Sequence, residues 1–212
     1  MIPRLHLVTD DRVLGLPRFS QLASQAMEEG GARLAVHLRG PGSGGRMLWE
    51  RARELVPVAH STGSLLLIND RVDVALLVPV GGVHLPERSF PVSLVRELLA
   101  EEMVVGRSVH DEEPLEGPER PDFVLAGTLY PTPSHPGQVG VGPGRVARLR
   151  TANPGLPIVG IGGLTLDRVD PVLEAGAHGV ALLRAVWDHP RPAEAVARYL
   201  TQLGDPDEAG PS

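Results

Sequence analysis

Residues 127–137 read GTLYPTPSHPG. Thr128, Thr132, Ser134 and His135 are its polar side chains, and Pro131, Pro133 and Pro136 stiffen the backbone that carries them. The stretch follows an apolar run, PDFVLA, and leads into glycine-rich QVGVGPG. Hydroxyls on a stiff loop at the end of a buried strand suit a small polar ligand. A second stretch, PIVGIGGLTLDRV, combines an apolar strand, Gly162-Gly163 and a helix start. Paired glycines let the backbone turn and approach a ligand closely, and a helix N-terminus there would favour an anion such as phosphate. Arg184 would add a cation. The alternative is that the glycines serve only the turn and Arg184 pairs with a surface carboxylate.

Further polar residues fall two apart, so that in an extended chain they share a face. His37 and Arg39 form one such pair, able to hold an anionic or aromatic group. Ser108 and His110 form another, with an imidazole able to move a proton near neutral pH. Asn69-Asp70 could orient a substrate or hold Mg²⁺ through oxygen; it could equally be an Asx cap on a helix starting at Arg71.

Residues so scattered meet only if the elements bring them together. Eight short apolar runs are predicted strands: 5–8, 33–38, 64–68, 81–85, 103–108, 122–126, 157–161 and 178–182. Their near-continuous hydrophobicity suits parallel strands buried on both faces. Amphipathic segments alternate with them: 18–31, 46–60, 93–102, 166–177 and 192–203, with weaker patterns at 70–79 and 143–152. Residues 110–121 hold two internal prolines and predict at most a short helix. Eight alternations in about 200 residues imply an α/β fold, a single (β/α)8 TIM barrel of parallel strands over residues 1–203, with 204–212 as a disordered polar tail. Active sites of this barrel lie at the C-terminal ends of the strands, where the polar residues above gather.

Composition narrows the chemistry. The 212 residues contain no cysteine, which excludes thiolate metal sites and a cysteine nucleophile. All 20 basic residues are arginine, so no Schiff-base lysine exists and any cationic anchor is arginine, histidine, a metal or backbone N–H. A net charge of −6 argues against nucleic acid as a partner. No apolar run reaches the roughly 20 residues of a membrane span, and MIPRLHLVTD lacks a signal-peptide core, so a cytoplasmic protein is expected.

In order and spacing, LHLVTD, LLINDRVDVAL, GGVHLP, GRSVH, GTLYPTPS, PIVGIGGLT and AGAHGVALLRAV resemble the thiamine phosphate synthase/TenI superfamily over nearly the whole chain. The resemblance implies a (β/α)8 barrel and a thiazole phosphate held by Thr132, Ser134, Gly162 and Gly163. Synthases of this family join a pyrimidine pyrophosphate to a thiazole phosphate with Mg²⁺ and release pyrophosphate. TenI proteins are thiazole tautomerases, aromatising a carboxythiazole phosphate by moving a proton, with no cofactor.

The synthase pattern Gln-x-Arg-x-Lys becomes His37-Leu38-Arg39-Gly40-Pro41. Its Asn-Asp pair is kept as Asn69-Asp70, with Asp70 the Mg²⁺ ligand if the chain is a synthase. Ser89 stands where its second metal aspartate would be, and His135 where a lysine would be. His-x-Arg on strand two, Leu85-Pro86 and GRSVH look like TenI, whereas Thr128 replaces the tautomerase histidine. These features predict a TenI-like tautomerase, with a divergent synthase or a non-catalytic thiazole phosphate binder as alternatives. His37, His110 and His135 are then the candidate proton carriers, and Arg39, Asn69, Asp70, Ser108 and Thr128 the substrate contacts. A homodimer is the assembly considered.

Overall fold

The computed structural model describes residues 1–132, 137 and 139–204; Ser134, His135 and the tail expected to be disordered lie outside the described residues, save Gly204. Eight strands occur where the apolar runs predict them: β1 (Leu5–Val8), β2 (Leu34–Leu38), β3 (Leu65–Asn69), β4 (Gly82–Leu85), β5 (Val104–Val109), β6 (Phe123–Ala126), β7 (Ile158–Ile161) and β8 (Gly179–Leu182). Each pairs in parallel with the next, and β8 pairs with β1, closing an eight-stranded barrel. This is a single (β/α)8 barrel.

The helices form the outer ring. α1 (Asp11–Leu14) and α2 (Phe19–Gly30) follow β1, α3 (Gly45–Thr62) follows β2, α4 (Val72–Ala75) follows β3 and α5 (Val92–Leu98) follows β4. A 3₁₀ turn, Gly117–Glu119, takes the helix position after β5, as its prolines predict. α6 (Gly144–Ala152) follows β6, α7 (Val169–Glu174) follows β7, and α8 (Arg184–Trp187) and α9 (Pro192–Leu203) follow β8. The single-turn helices α1 and α8 were not predicted, because four residues show no helical period. Asp10 caps α1, its Oδ1 accepting from Val13 N at 2.8 Å.

Alternation along each strand divides the core into two layers. On β6, Val124 and Ala126 face outward to the helices, while Phe123 and Leu125 join Val8, Leu67, Val159 and Ala181 inside the barrel. Gly106 makes room for this inner layer. A Cβ there would lie 2.2 Å from Phe123 Cζ and 2.8 Å from His84 Nδ1, so only glycine lets both rings pack over β5. Trp187 helps to close the barrel, donating from Nε1 to Val8 O at 2.9 Å and packing against Phe19.

Candidate active site

A cavity of about 620 Å³ opens at the C-terminal ends of the strands. Its far wall is the turn after β7, where Gly162 (φ 103°) and Gly163 (φ 61°) occupy the left-handed half of backbone space. A Cβ on Gly163 would lie 2.5 Å from Pro131 O and 2.7 Å from Tyr130 O. The turn after β7 is thus fitted closely against the loop after β6, and Thr128 and Thr132 line the cavity beside it. Gly163→Ala is expected to cost about 1–3 kcal/mol of stability in urea denaturation, from backbone strain together with the clash.

The sequence predicts a helix N-terminus behind these glycines. The structure places a three-residue 3₁₀ turn, Leu166–Arg168, before the short α7, so little helix dipole is available. Positive charge comes instead from side chains. Arg184 lines the cavity and, among the described residues, makes no ion pair. Arg168 also lines it, donating to Gly163 O at 2.5 Å with its guanidinium 4.6 Å from the centre of the Tyr130 ring. Arg168 was not singled out from the sequence; its position one turn beyond Gly-Gly was the signal available.

A smaller cavity of about 280 Å³ adjoins the first, and Arg39, Asn69 and Pro86 line both. Asp70 and Arg71 line only the smaller one, under the loop after β2. Asp11 pins that loop, accepting from Gly42 N at 3.0 Å and from Ser43 Oγ at 2.6 Å. The Ser43 hydroxyl, followed by the backbone N–H groups, lowers the Asp11 carboxyl below its usual range. The helix after β3 is not capped by Asn69 or Asp70, the cap position being Arg71 with no side-chain bond. Instead Asp70, at φ 64°, accepts from Ser89 Oγ at 2.5 Å.

Three histidines cluster with tilted rings at the floor of the main cavity, which His37 and His84 line. His6 and His37 are wholly buried and His84 nearly so, with ring centres 5.1 Å apart for His6–His37 and 5.3 Å for His37–His84. His6 Nδ1 and His37 Nε2 are 2.8 Å apart, and His84 Nε2 is 2.9 Å from Ser108 Oγ. Burial lowers the pKa of His6 to about 3 and that of His84 to about 3. Burial, then the neighbouring His6 and His84, holds His37 well below the ordinary range. His37 therefore lines the cavity as a neutral ring with one nitrogen already engaged.

His110 sits at the rim, and Glu87, unremarked in the sequence, orients it. The Glu87 carboxylate accepts from His110 N at 2.9 Å and lies 2.8 Å from His110 Nδ1. Seen one at a time along the chain, these residues gave no sign of pairing, since 23 positions separate them.

Residues 5–186 match the family described as thiamine monophosphate synthase. A thiamine-phosphate synthase of Synechocystis sp. is 35% identical over 202 residues, 94% of this chain and 57% of that protein, so the chain spans little more than half of that relative. The thiamine-phosphate synthase of Vibrio parahaemolyticus is 35% identical over 207 residues, 95% of this chain and 98% of that protein. Among solved structures, thiamine phosphate pyrophosphorylase from Pyrococcus furiosus superposes with a TM-score of 0.77 at 25% identity, covering 94% of this chain and 95% of that one.

Proposed function

The chain belongs to the thiamine monophosphate synthase family, and from that premise we propose that it joins a pyrimidine pyrophosphate to a thiazole phosphate, with release of pyrophosphate. This shifts the weight from the tautomerase reading to the synthase reading, because the relatives bear the synthase name over nearly their whole length in the Vibrio case. The observation that carries it is the pair of adjoining cavities. One ends at Gly162, Gly163, Arg168 and Arg184, and suits a phosphate. The other holds Arg71 and Asp70, and Arg39 lies between the two. Arg71 is already held by Asp73, Nη2 to Oδ2 at 2.5 Å, so two anionic substrates fit this division with Arg168 and Arg184 serving one and Arg39 the other.

The synthase lysine positions carry Pro41 and His135 rather than arginine, so the side-chain cations on which this reading rests are Arg39, Arg168 and Arg184. A protein with no lysine anywhere must supply every side-chain cation other than histidine as arginine. Magnesium is the remaining requirement. Asp70 is exposed at the mouth of the smaller cavity with Asn69 beside it, and among the described residues no cluster of three His, Asp or Glu could cage a metal. Such a donor set fits Mg²⁺ held through one carboxylate, with substrate phosphate and water completing its shell. Bound there, the ion would supply charge neutralisation of a departing pyrophosphate. Arg39 would hold that group between the two cavities, and the Gly162-Gly163 corner would hold the thiazole phosphate so that its ring faces the pyrimidine.

One observation favours the tautomerase reading. The Ser89 hydroxyl occupies one oxygen of Asp70 at the place where the synthase pattern has a second carboxylate. The Glu87–His110 pair then offers a proton carrier at the rim. The purified chain, given both synthase substrates and Mg²⁺, is expected to form thiamine phosphate with equimolar pyrophosphate. Acceleration of carboxythiazole phosphate aromatisation without condensation would transfer the assignment to the tautomerase. Ligand binding with neither reaction would leave a binder.

A further inference from the structure

His84 and Ser108 together form a device whose polarity can be read from the buried histidines. The carbonyl of Pro3 can only accept a hydrogen bond, and His6 Nε2 lies 2.9 Å from it, so His6 carries its proton on Nε2. His6 Nδ1 is then an acceptor, and His37 must donate to it from Nε2. This leaves His37 Nδ1 as a lone pair. His84 Nδ1, like His37 Nδ1, is buried without a hydrogen-bond partner. Burying an orphaned N–H is rarer in native proteins than burying an under-satisfied acceptor. His84 Nδ1, packed over Gly106, is therefore the lone pair, and the proton sits on Nε2, facing Ser108.

We propose that His84 is a positioning residue that donates from Nε2 to Ser108 Oγ, fixing the Ser108 hydroxyl as a hydrogen-bond donor toward the cavity and so selecting a ligand with an acceptor atom there. The His84 N–H takes one of the two lone pairs of the Ser108 oxygen, so the hydroxyl proton points away from His84 and is free to turn to the cavity that Ser108 lines. The ligand chemistry favoured is an acceptor such as a phosphate or carboxylate oxygen or an unprotonated ring nitrogen, which receives the hydroxyl proton already turned away from His84.

Imidazole ¹⁵N–¹H correlation spectra of the ¹⁵N-histidine-labelled wild-type protein test the polarity without any assay of function. The His84 signals are identified by their loss in His84→Gln. The expected result at pH 7.5 is a protonated Nε2 and an unprotonated Nδ1 on His84. The opposite tautomer overturns the proposal.

The effect on ligand binding rests on the condensation reading. There, His84→Leu is expected to raise KM for one substrate up to about tenfold with kcat little changed, the size of one lost hydrogen bond. His84→Gln, whose amide N–H can still donate, should stay within about twofold of the wild type. In a Ser108→Ala background the His84→Leu effect should vanish. An equal effect in both backgrounds would mean that His84 does not act through Ser108. If the wild type does not condense its substrates, the functional reading has failed, and the spectra still decide the tautomer.

Discussion

Asp70→Asn is expected to lower kcat/KM for condensation by about 10²–10³-fold with little change in melting temperature. Asparagine is the informative replacement because Asp70 stands at φ 64°. Asparagine tolerates that left-handed conformation nearly as well as aspartate, whereas alanine would add backbone strain to the loss of charge. The amide oxygen can still accept from the Ser89 hydroxyl that now bonds Asp70 Oδ1. What disappears is the negative charge, on which Mg²⁺ binding through a single carboxylate depends. A converse variant, Ser89→Asp, would place a second carboxylate beside the first and is expected to lower the Mg²⁺ concentration needed for half-maximal rate. Steady-state rates over a Mg²⁺ titration check both. Full condensation activity in Asp70→Asn would remove this residue from the site. Loss of condensation with tautomerisation unaffected would separate the two chemistries within one protein.

The barrel was legible because its strands are buried on both faces and so read as unbroken apolar runs; β1, LHLV, is buried at every position. The long helices α2, α3 and α9 were legible for the complementary reason, since each keeps an apolar stripe over three turns or more. Strand ends could be named as a site because the barrel fixes where they meet. The partners of those residues could not. Glu87 and His110 come from successive strand–loop junctions, Ser89 reaches back to Asp70, and Arg168 folds onto Gly163 and Tyr130. Each of these pairings is set by loop conformation, which has no period to read. Asp70 illustrates the cost: its place after a strand suggested a helix cap, whereas its backbone conformation turns the carboxylate to Ser89. The absence of lysine is legible in the composition, every side-chain cation other than histidine being arginine, while the two synthase lysine positions themselves carry Pro41 and His135. The histidine cluster was the least visible feature, because His6, His37 and His84 lie on three different strands and meet only when the barrel closes.

That cluster makes stability fall as the solution is acidified. In the unfolded chain the three imidazoles bind protons near pH 6.5. In the folded protein His6 and His84 do so only at about 3, and His37 well below its ordinary value, with burial the first cause in each case. Across the window between these values the unfolded state binds more protons than the folded state, so stability rises with pH. The full contribution is present above about pH 6.5 and is lost progressively as the pH falls toward 3. Each histidine gives a slope of up to about 1.4 kcal/mol per pH unit inside the window, so the three together can remove several kcal/mol by pH 5. That is a large part of the 5–15 kcal/mol of a typical domain. Carboxylates do not produce the same signature. Asp11, Glu54, Asp73 and Glu119 titrate below their ordinary values, so the stability that they contribute is lost only at lower pH. Urea denaturation at pH 7.5, 6.0 and 5.0 should therefore show a falling midpoint, and His84→Gln should flatten the slope by about one proton. A midpoint independent of pH over this range would mean that the three rings are not held neutral.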